Sequence, residues 1–420
     1  MDDDEHSYAA PVADEIEARD LVVDGALPLE LTGRYFRNGP NPRPGDFAPH
    51  WFLGRGMIHG VRLRDGRAEW YRNRWIDAEG RPNTSVLDHA GRLFALVENA
   101  LPVEIDRELG VLGPCDFGGR LTTAMTAHPK EDPDTGDLHF FGYSALPPFL
   151  TYHRLGAAGR LVESREIEVP GPTMMHDFAI TEHHVVWLDL PVVFDRDLLG
   201  RTMPYRWSDS YGARIGVMPK VGGQVQWFEV EPCYVFHVGN ASEDAAGRVV
   251  LDAVRYARPA WMATWAGIGG AAEGDANATT RLYRWTLDPA TGSVAEEERD
   301  DRPVEFPTLN DARTGRPNRY LYAVSGDAIV KYDDAGPTQT DALGAGWHVG
   351  EAVFVPALQA ADPAEDHGWL VSIATHDRPG VASRLLVHDA TDVGAGPVAT
   401  VHLPRRVPAG FHGRWIGDAR

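Results

Sequence analysis

Cysteine is nearly missing from this chain of 420 residues: there are two, Cys115 and Cys233, and neither has a CxxC partner. Their scarcity excludes a disulfide framework and a cysteine-built zinc site. It fits a reducing compartment, so a cytoplasmic location is expected. Long apolar runs are also lacking, and none approaches the roughly 18–20 residues a spanning helix needs. The acidic start MDDDEHSYAA has neither the basic nor the apolar region of a signal peptide. A soluble protein is expected, with a weak membrane contact through exposed loops left open. Positive charge is in deficit, 40 Lys and Arg against 61 Asp and Glu, for a net charge of −21. Such a surface argues against nucleic acid and anionic lipid as partners.

Helical periodicity is scarce as well; what recurs is short strand-like segments. HVVWLDLPVVF (184–194), QVQWFEV (224–230), RVVLDAVRY (248–256), RYLYAVS (319–325), EAVFVPAL (351–358) and WLVSIATH (369–376) are rich in β-branched and aromatic residues. Turn signals such as DPDTGD (132–137), DPATGS (288–293) and ARTGRPN (312–318) separate strands, and 44 Gly and 31 Pro support frequent turns. The length favours a propeller over a sandwich or small barrel, since blades run to about 40–50 residues each. Seven blades would average about 60 residues, leaving room for loops and short helices to cap one face. The expected fold is therefore all-β, a β-propeller over residues 21–420 with a mobile acidic arm at 1–20. AGIGGAAEGDANATT (266–280) reads as the most loop-like internal stretch, and 331–348 as irregular.

Four of the 17 histidines stand apart: His128 in TAMTAHPKEDP, His176 in PTMMHDFAI, His237 in YVFHVGN and His412 in AGFHGRW. Each lies in an apolar, strand-like setting with no thiol at close ligand spacing. A single such histidine is ordinarily a packed ring. The set is different, because the gaps of 48, 61 and 175 residues approach one, one and three blade lengths. Inner strands of separate blades face one axis, so the four rings can meet there. Four neutral imidazoles suit Fe, Cu, Ni or Zn. Ligating imidazoles hand their other N–H to an acceptor. Glu98 in LFALVENALP, Glu305 in RPVEFPTLN and Glu351 in HVGEAVFVP sit where a bare charge is costly, and they suit that part.

Taken with their flanks, these residues resemble the carotenoid cleavage oxygenase family, which includes apocarotenoid and lignostilbene dioxygenases. The matching stretches are GRYFRNGPNP (33–42), HWFLGRGMIHGVRL (50–63), YRNRW (71–75), AHPKEDPDTG (127–136), MMHDFAITE (174–182), VFHVGNASED (235–244), EFPTLN (305–310), GEAVFVP (350–356) and LPRRVPAGFHGRW (403–415). The resemblance implies a seven-bladed propeller with one axial Fe(II) held by His128, His176, His237 and His412. It also implies Glu98, Glu305 and Glu351 behind the ligands and Thr84 near the open metal position. The activity implied is cleavage of an alkene C=C bond with O2 to two carbonyl products. Two departures stand out. Leu53 and Arg55 replace acids of the family's FDGDGM, and only IDAEGR (76–81) joins YRNRW to PNTSV, where the family carries a longer segment.

Pocket positions in this family often adjoin the metal-shell residues, so the resemblance implies Val97, Phe236 and Phe306 as pocket lining. Stilbenoid-cleaving members commonly place a Lys where this chain has Val97, so the expected substrate is a small apolar alkene, an apocarotenoid. A stilbenoid- or phenylpropenoid-cleaving oxygenase is the alternative. From another class, a catalytically inactive propeller that only binds would carry the same fold without iron. The oligomeric state is left open.

Overall fold

Strands form where apolar and polar residues alternate and where turn residues let the chain reverse. Val249–Tyr256, for example, buries Val249, Leu251 and Ala253 while Val250 and Asp252 are partly exposed. It pairs with Tyr234–Glu243 on one side and Arg281–Asp288 on the other. The turn at 288–293 then returns the chain into Ser293–Asp300, with the Asp288 carboxylate accepting the Ala290 N–H at 2.9 Å and Gly292 at φ 74°. Other strands read as continuous apolar runs. His184–Asp189 is buried from its second residue onward, because both faces of its sheet are covered.

The computed structural model describes residues 8–272, 278–357 and 364–418. Its sheets form a seven-bladed β-propeller. Taken in chain order from the first closed blade, the innermost strands are Gly413–Gly417, Ser85–His89, Lys130–Glu131, Ala179–Ile180, Tyr234–Glu243, Glu305–Thr308 and Val353–Pro356. The ring closes twice. Gly413–Gly417 pairs with Gly33–Pro40, and Val23–Gly25 pairs with Pro397–His402. Two blades thus mix strands from opposite ends of the chain, which leaves no open seam.

Two insertions rise from the fourth and fifth blades. One is the hairpin Val192–Phe194 with Tyr205–Trp207. The other is the helix Arg258–Gly267, the one α-helix among the described residues. Pro259 stands in its first turn, where a missing N–H does no harm. Trp261 and Trp265, one turn apart, are fully buried and stack at 5.1 Å in a core that also holds Trp207 and Trp285.

Two expectations need correction. The stretch 1–20 is not a free arm from residue 8 on. Val12 is buried and exchanges two bonds with the Asn41 side chain, and Glu17–Arg19 adds an outer strand against Arg67–Trp75. Residues 1–7 lie outside the described residues. Half of the segment 331–348 is strand, supplying parts of Ala328–Asp333 and Trp347–Val349 and all of Gln339–Ala342. The stretch 266–280 starts with the last two residues of the helix and is otherwise loop where it is described, 273–277 lying outside the described residues.

Candidate metal centre

The seven inner strands start at one end of the axis, and each brings a side chain within three residues of its first position. In blade order these are His412, Thr84, His128, His176, His237, Glu305 and Glu351. A sequence gap of 175 residues between His237 and His412 therefore spans the two blades that contribute Glu305 and Glu351. Glu98 is the exception, following the second strand of its blade, Arg92–Leu96. Two bulges aim these groups. One extra residue lies between Val235 and Val238 against Arg255 and Ala253, at His237. Another lies between Glu305 and Thr308, where Phe306 takes φ 49°.

One ligand nitrogen from each of His128, His176 and His237 lies within 4.8 Å of the others. The His412 ring centroid is 4.6 Å from that of His128 and 4.8 Å from that of His237. Three of the rings are backed by carboxylates. His176 Nδ1 contacts Glu98, His237 Nδ1 is 2.5 Å from Glu305 Oε2, and His412 Nδ1 is 2.9 Å from Glu351 Oε1. A carboxylate only accepts, so each Nδ1 carries the proton and each Nε2 presents a lone pair.

Each glutamate is fixed by a second donor. Tyr143 Oη donates to Glu98 at 2.5 Å, Tyr256 Oη donates to Glu305, and the Gly413 N–H donates to Glu351 at 2.7 Å. Burial, reinforced by the neighbouring imidazoles, holds His128 well below the ordinary histidine range. Burial lowers His237 too, against the pull of Glu305. Burial opposes charge on His176, but the Glu98 carboxylate overrides it and its pKa is raised.

The donor set fits a metal ion. His412 Nε2 is buried and has no hydrogen-bond partner among the described residues. His128 Nε2 and His176 Nε2 stand 3.0 Å apart, a contact that a proton, or a cation in its place, satisfies. The buried carboxylates of Glu98 and Glu351 and the half-buried one of Glu305 surround four rings, and a divalent cation offsets their charge. A single non-haem metal site accounts for all three observations.

A cavity of about 210 Å³ opens on the cluster, lined by His176, His237, His412, Glu98 and Glu305 and otherwise mainly by apolar groups. Thr84, Val97, Phe236 and Phe306 all line it. Phe306 stacks on the His237 ring at 5.0 Å, and Phe236 meets His176 edge-on at 5.3 Å. Trp51, Phe52, Leu53 and Phe411 close one side, while Met203, Thr264 and Ile268 come from the insertions. No Lys or Arg lines the cavity among the described residues.

The chain matches the family described as RPE65, retinal pigment epithelial membrane protein, over residues 9–82 and 78–417. It is 40% identical to a carotenoid cleavage oxygenase of Mycobacterium tuberculosis, covering 97% of this chain and 96% of that protein. The chain belongs to the RPE65/carotenoid cleavage oxygenase family. Within the family it is 33% identical to carotenoid 9,10(9',10')-cleavage dioxygenase 1 of Pisum sativum, covering 97% of this chain and 89% of that one. Among solved structures, lignostilbene dioxygenase of Pseudomonas brassicacearum superposes with a TM-score of 0.89 at 26% identity, covering 98% of both chains. Cobalt-substituted apocarotenoid oxygenase of Synechocystis shares the fold with a TM-score of 0.84 at 24% identity, covering 97% of both chains.

The two departures from the carotenoid cleavage oxygenase pattern have a structural account. The alignment with the mycobacterial relative spans 495 positions, more than the 420 residues present, so that relative carries insertions. One shortened segment, 76–81, is a tight turn held by Arg55 and Arg43, both paired with Asp77. Arg55 also pairs with Asp46, and Leu53 faces the cavity.

Several positioning groups escaped the sequence reading. Asp177 bonds Lys130 Nζ at 2.8 Å and the Val238 N–H at 2.8 Å, tying three ligand-bearing blades together. An acid beside His176 in MMHDFA meets the same test that singled out the glutamates. Asn83 accepts the Thr84 hydroxyl at 3.0 Å and donates to the carbonyls of Phe52 and Gly54 at 2.9 and 2.7 Å. Tyr143 and Tyr256 carried no signal, because a tyrosine ending an apolar strand is ordinary packing.

Proposed function

We propose that the chain is a non-haem Fe(II) oxygenase that cleaves an alkene C=C bond of an apocarotenoid with O2. The carrying observation is the convergence of four imidazoles, three backed by glutamates, beside a mainly apolar cavity. His128, His176, His237 and His412 would hold one Fe(II) per chain, with Glu98, Glu305 and Glu351 keeping three of the rings in the ligating tautomer. Bound there, iron supplies dioxygen binding and activation. Alkene and O2 balance to two carbonyls, so no side chain need give or take a proton.

The chain's own contribution is placement. Phe236 and Phe306 flank the site with flat apolar faces, Val97 and Leu53 narrow the cavity, and Thr84 lines it as well. These groups exclude water and hold a conjugated chain in register. Among the described residues no lining cation is present to pair with a phenolate, which favours a polyene over a stilbenoid. Several relatives are named as carotenoid-cleaving, which supports the same class.

Among the described residues no helix is long and apolar enough to cross a membrane. The proposed location is the cytoplasm, in keeping with two buried free cysteines, of which burial pushes Cys233 up to about 12. Exposed Phe47, Leu146 and Leu199 supply apolar surface for a weak membrane contact.

A panel of an apocarotenal, a hydroxystilbene and isoeugenol, with products identified by mass spectrometry, tests the reading. Two carbonyl fragments from the apocarotenal support it. Turnover of the phenolic substrates alone overturns the substrate class.

A further inference from the structure

A second cavity, of about 370 Å³, lies on the propeller axis. It shares no lining residue with the cavity under the insertions. The inner strands divide cleanly between the two. Phe236 and His237 line the first while Val238 to Ala241 line the second; Glu305 and Phe306 line the first while Pro307 to Leu309 line the second. His412 and Gly413 divide in the same way. The histidine cluster is therefore a partition between an apolar chamber and an axial channel.

The channel differs in chemistry. Its walls carry Lys130, Glu131, Asp311, Glu351 and Arg414. Lys130 is held by Asp177 and Arg414 by Asp311, each at 2.8 Å, so the acids outweigh the cations. Its outer end is exposed at Glu131, Asp311 and Ala312. Its inner end reaches buried Glu351, whose carboxylate accepts from His412 Nδ1.

We propose that this channel is the route by which a hydrated divalent cation reaches the four imidazoles, while alkene uses the opposite chamber. The inference rests on the metal site proposed above. A divalent ion sheds water only where ligands replace it, and the chamber, apart from Glu98 and Glu305 at the rings, is lined mainly by aromatic and aliphatic groups. The channel offers carboxylates from its mouth to the back of His412. Separate routes let the enzyme load metal without exposing the substrate chamber to water.

Covalent plugging tests this. Cys115 and Cys233 are both buried, so an Ala312→Cys variant takes a bulky maleimide at the channel mouth. Uptake of Co(II) by chelator-stripped protein is followed by absorbance and elemental analysis. The label should slow uptake tenfold or more, whereas label added after loading should leave turnover unchanged. A Leu53→Cys variant labelled on the other side should lose turnover and keep its uptake rate. Equal uptake by labelled and unlabelled Ala312→Cys protein would overturn the route. Absence of uptake in the unlabelled stripped protein would overturn the metal site itself, and the route with it.

Discussion

At the scale of the residue, the metal centre is built by hydrogen bonds that fix protons. The chain His–Glu–Tyr occurs twice, through Glu98 to Tyr143 and through Glu305 to Tyr256, and Glu351 takes a backbone N–H instead. Removing one phenol leaves a carboxylate less well oriented. Tyr143→Phe and Tyr256→Phe should each weaken metal affinity about 10-fold, and Glu351→Gln about 10–100-fold, by competition titration with a chelator. Unchanged affinity in all three would show that the backing groups only pack. The histidines and glutamates were legible because a titratable group in an apolar strand demands a reason. The tyrosines and Asn83 were not, since their work depends on partners 45 to 49 residues away or on a turn no local pattern announces.

At the scale of the element, function depends on where inner strands begin. Several are very short: Lys130–Glu131 and Ala179–Ile180 have two residues each. Local periodicity cannot reveal a strand of two residues, yet these carry His128 and His176 to the axis. The longer strands were legible, because their alternation or continuous apolar run extends over six to nine residues. Asn83 fastens the segment 51–54 over the cavity. Asn83→Ala leaves the Phe52 and Gly54 carbonyls and the Thr84 hydroxyl short of partners, at a cost of about 2 kcal/mol. Denaturant unfolding should show that loss, and KM should rise more than kcat falls. A variant with wild-type stability and KM would contradict the clamp. Deleting residues 413–420 removes the closing strand and bares the edge of Gly33–Pro40. Aggregation or a lost cooperative transition is expected, and an unchanged Tm would contradict the closure.

At the scale of the molecule, the fold keeps many histidines neutral. Burial lowers His50 and His153 to about 4 and His139 to about 3, all away from the metal cluster. In the unfolded chain they titrate near 6.5, so below that value the unfolded state takes up protons the folded state refuses. Stability is therefore full above about pH 6.5 and falls as pH drops towards the folded values. Near pH 5 these three groups alone predict a slope of about 4 kcal/mol per pH unit, readable by denaturant titration at several pH values. A flat profile between pH 7 and 5 would contradict their burial as neutral rings. The seven-fold plan also explains why scattered residues form one site: closure of a ring turns sequence gaps of one and three blades into contact at the axis.

The central claim is that this site is an iron centre that cleaves an alkene with O2. The most direct measurement reconstitutes stripped protein with Fe(II) and compares apocarotenal cleavage under air and under anaerobic conditions, with iron determined per chain. The account predicts one iron per chain, two aldehyde fragments under air, and none without O2. Full cleavage in the absence of O2, or retained iron and activity after His237→Ala, would contradict it.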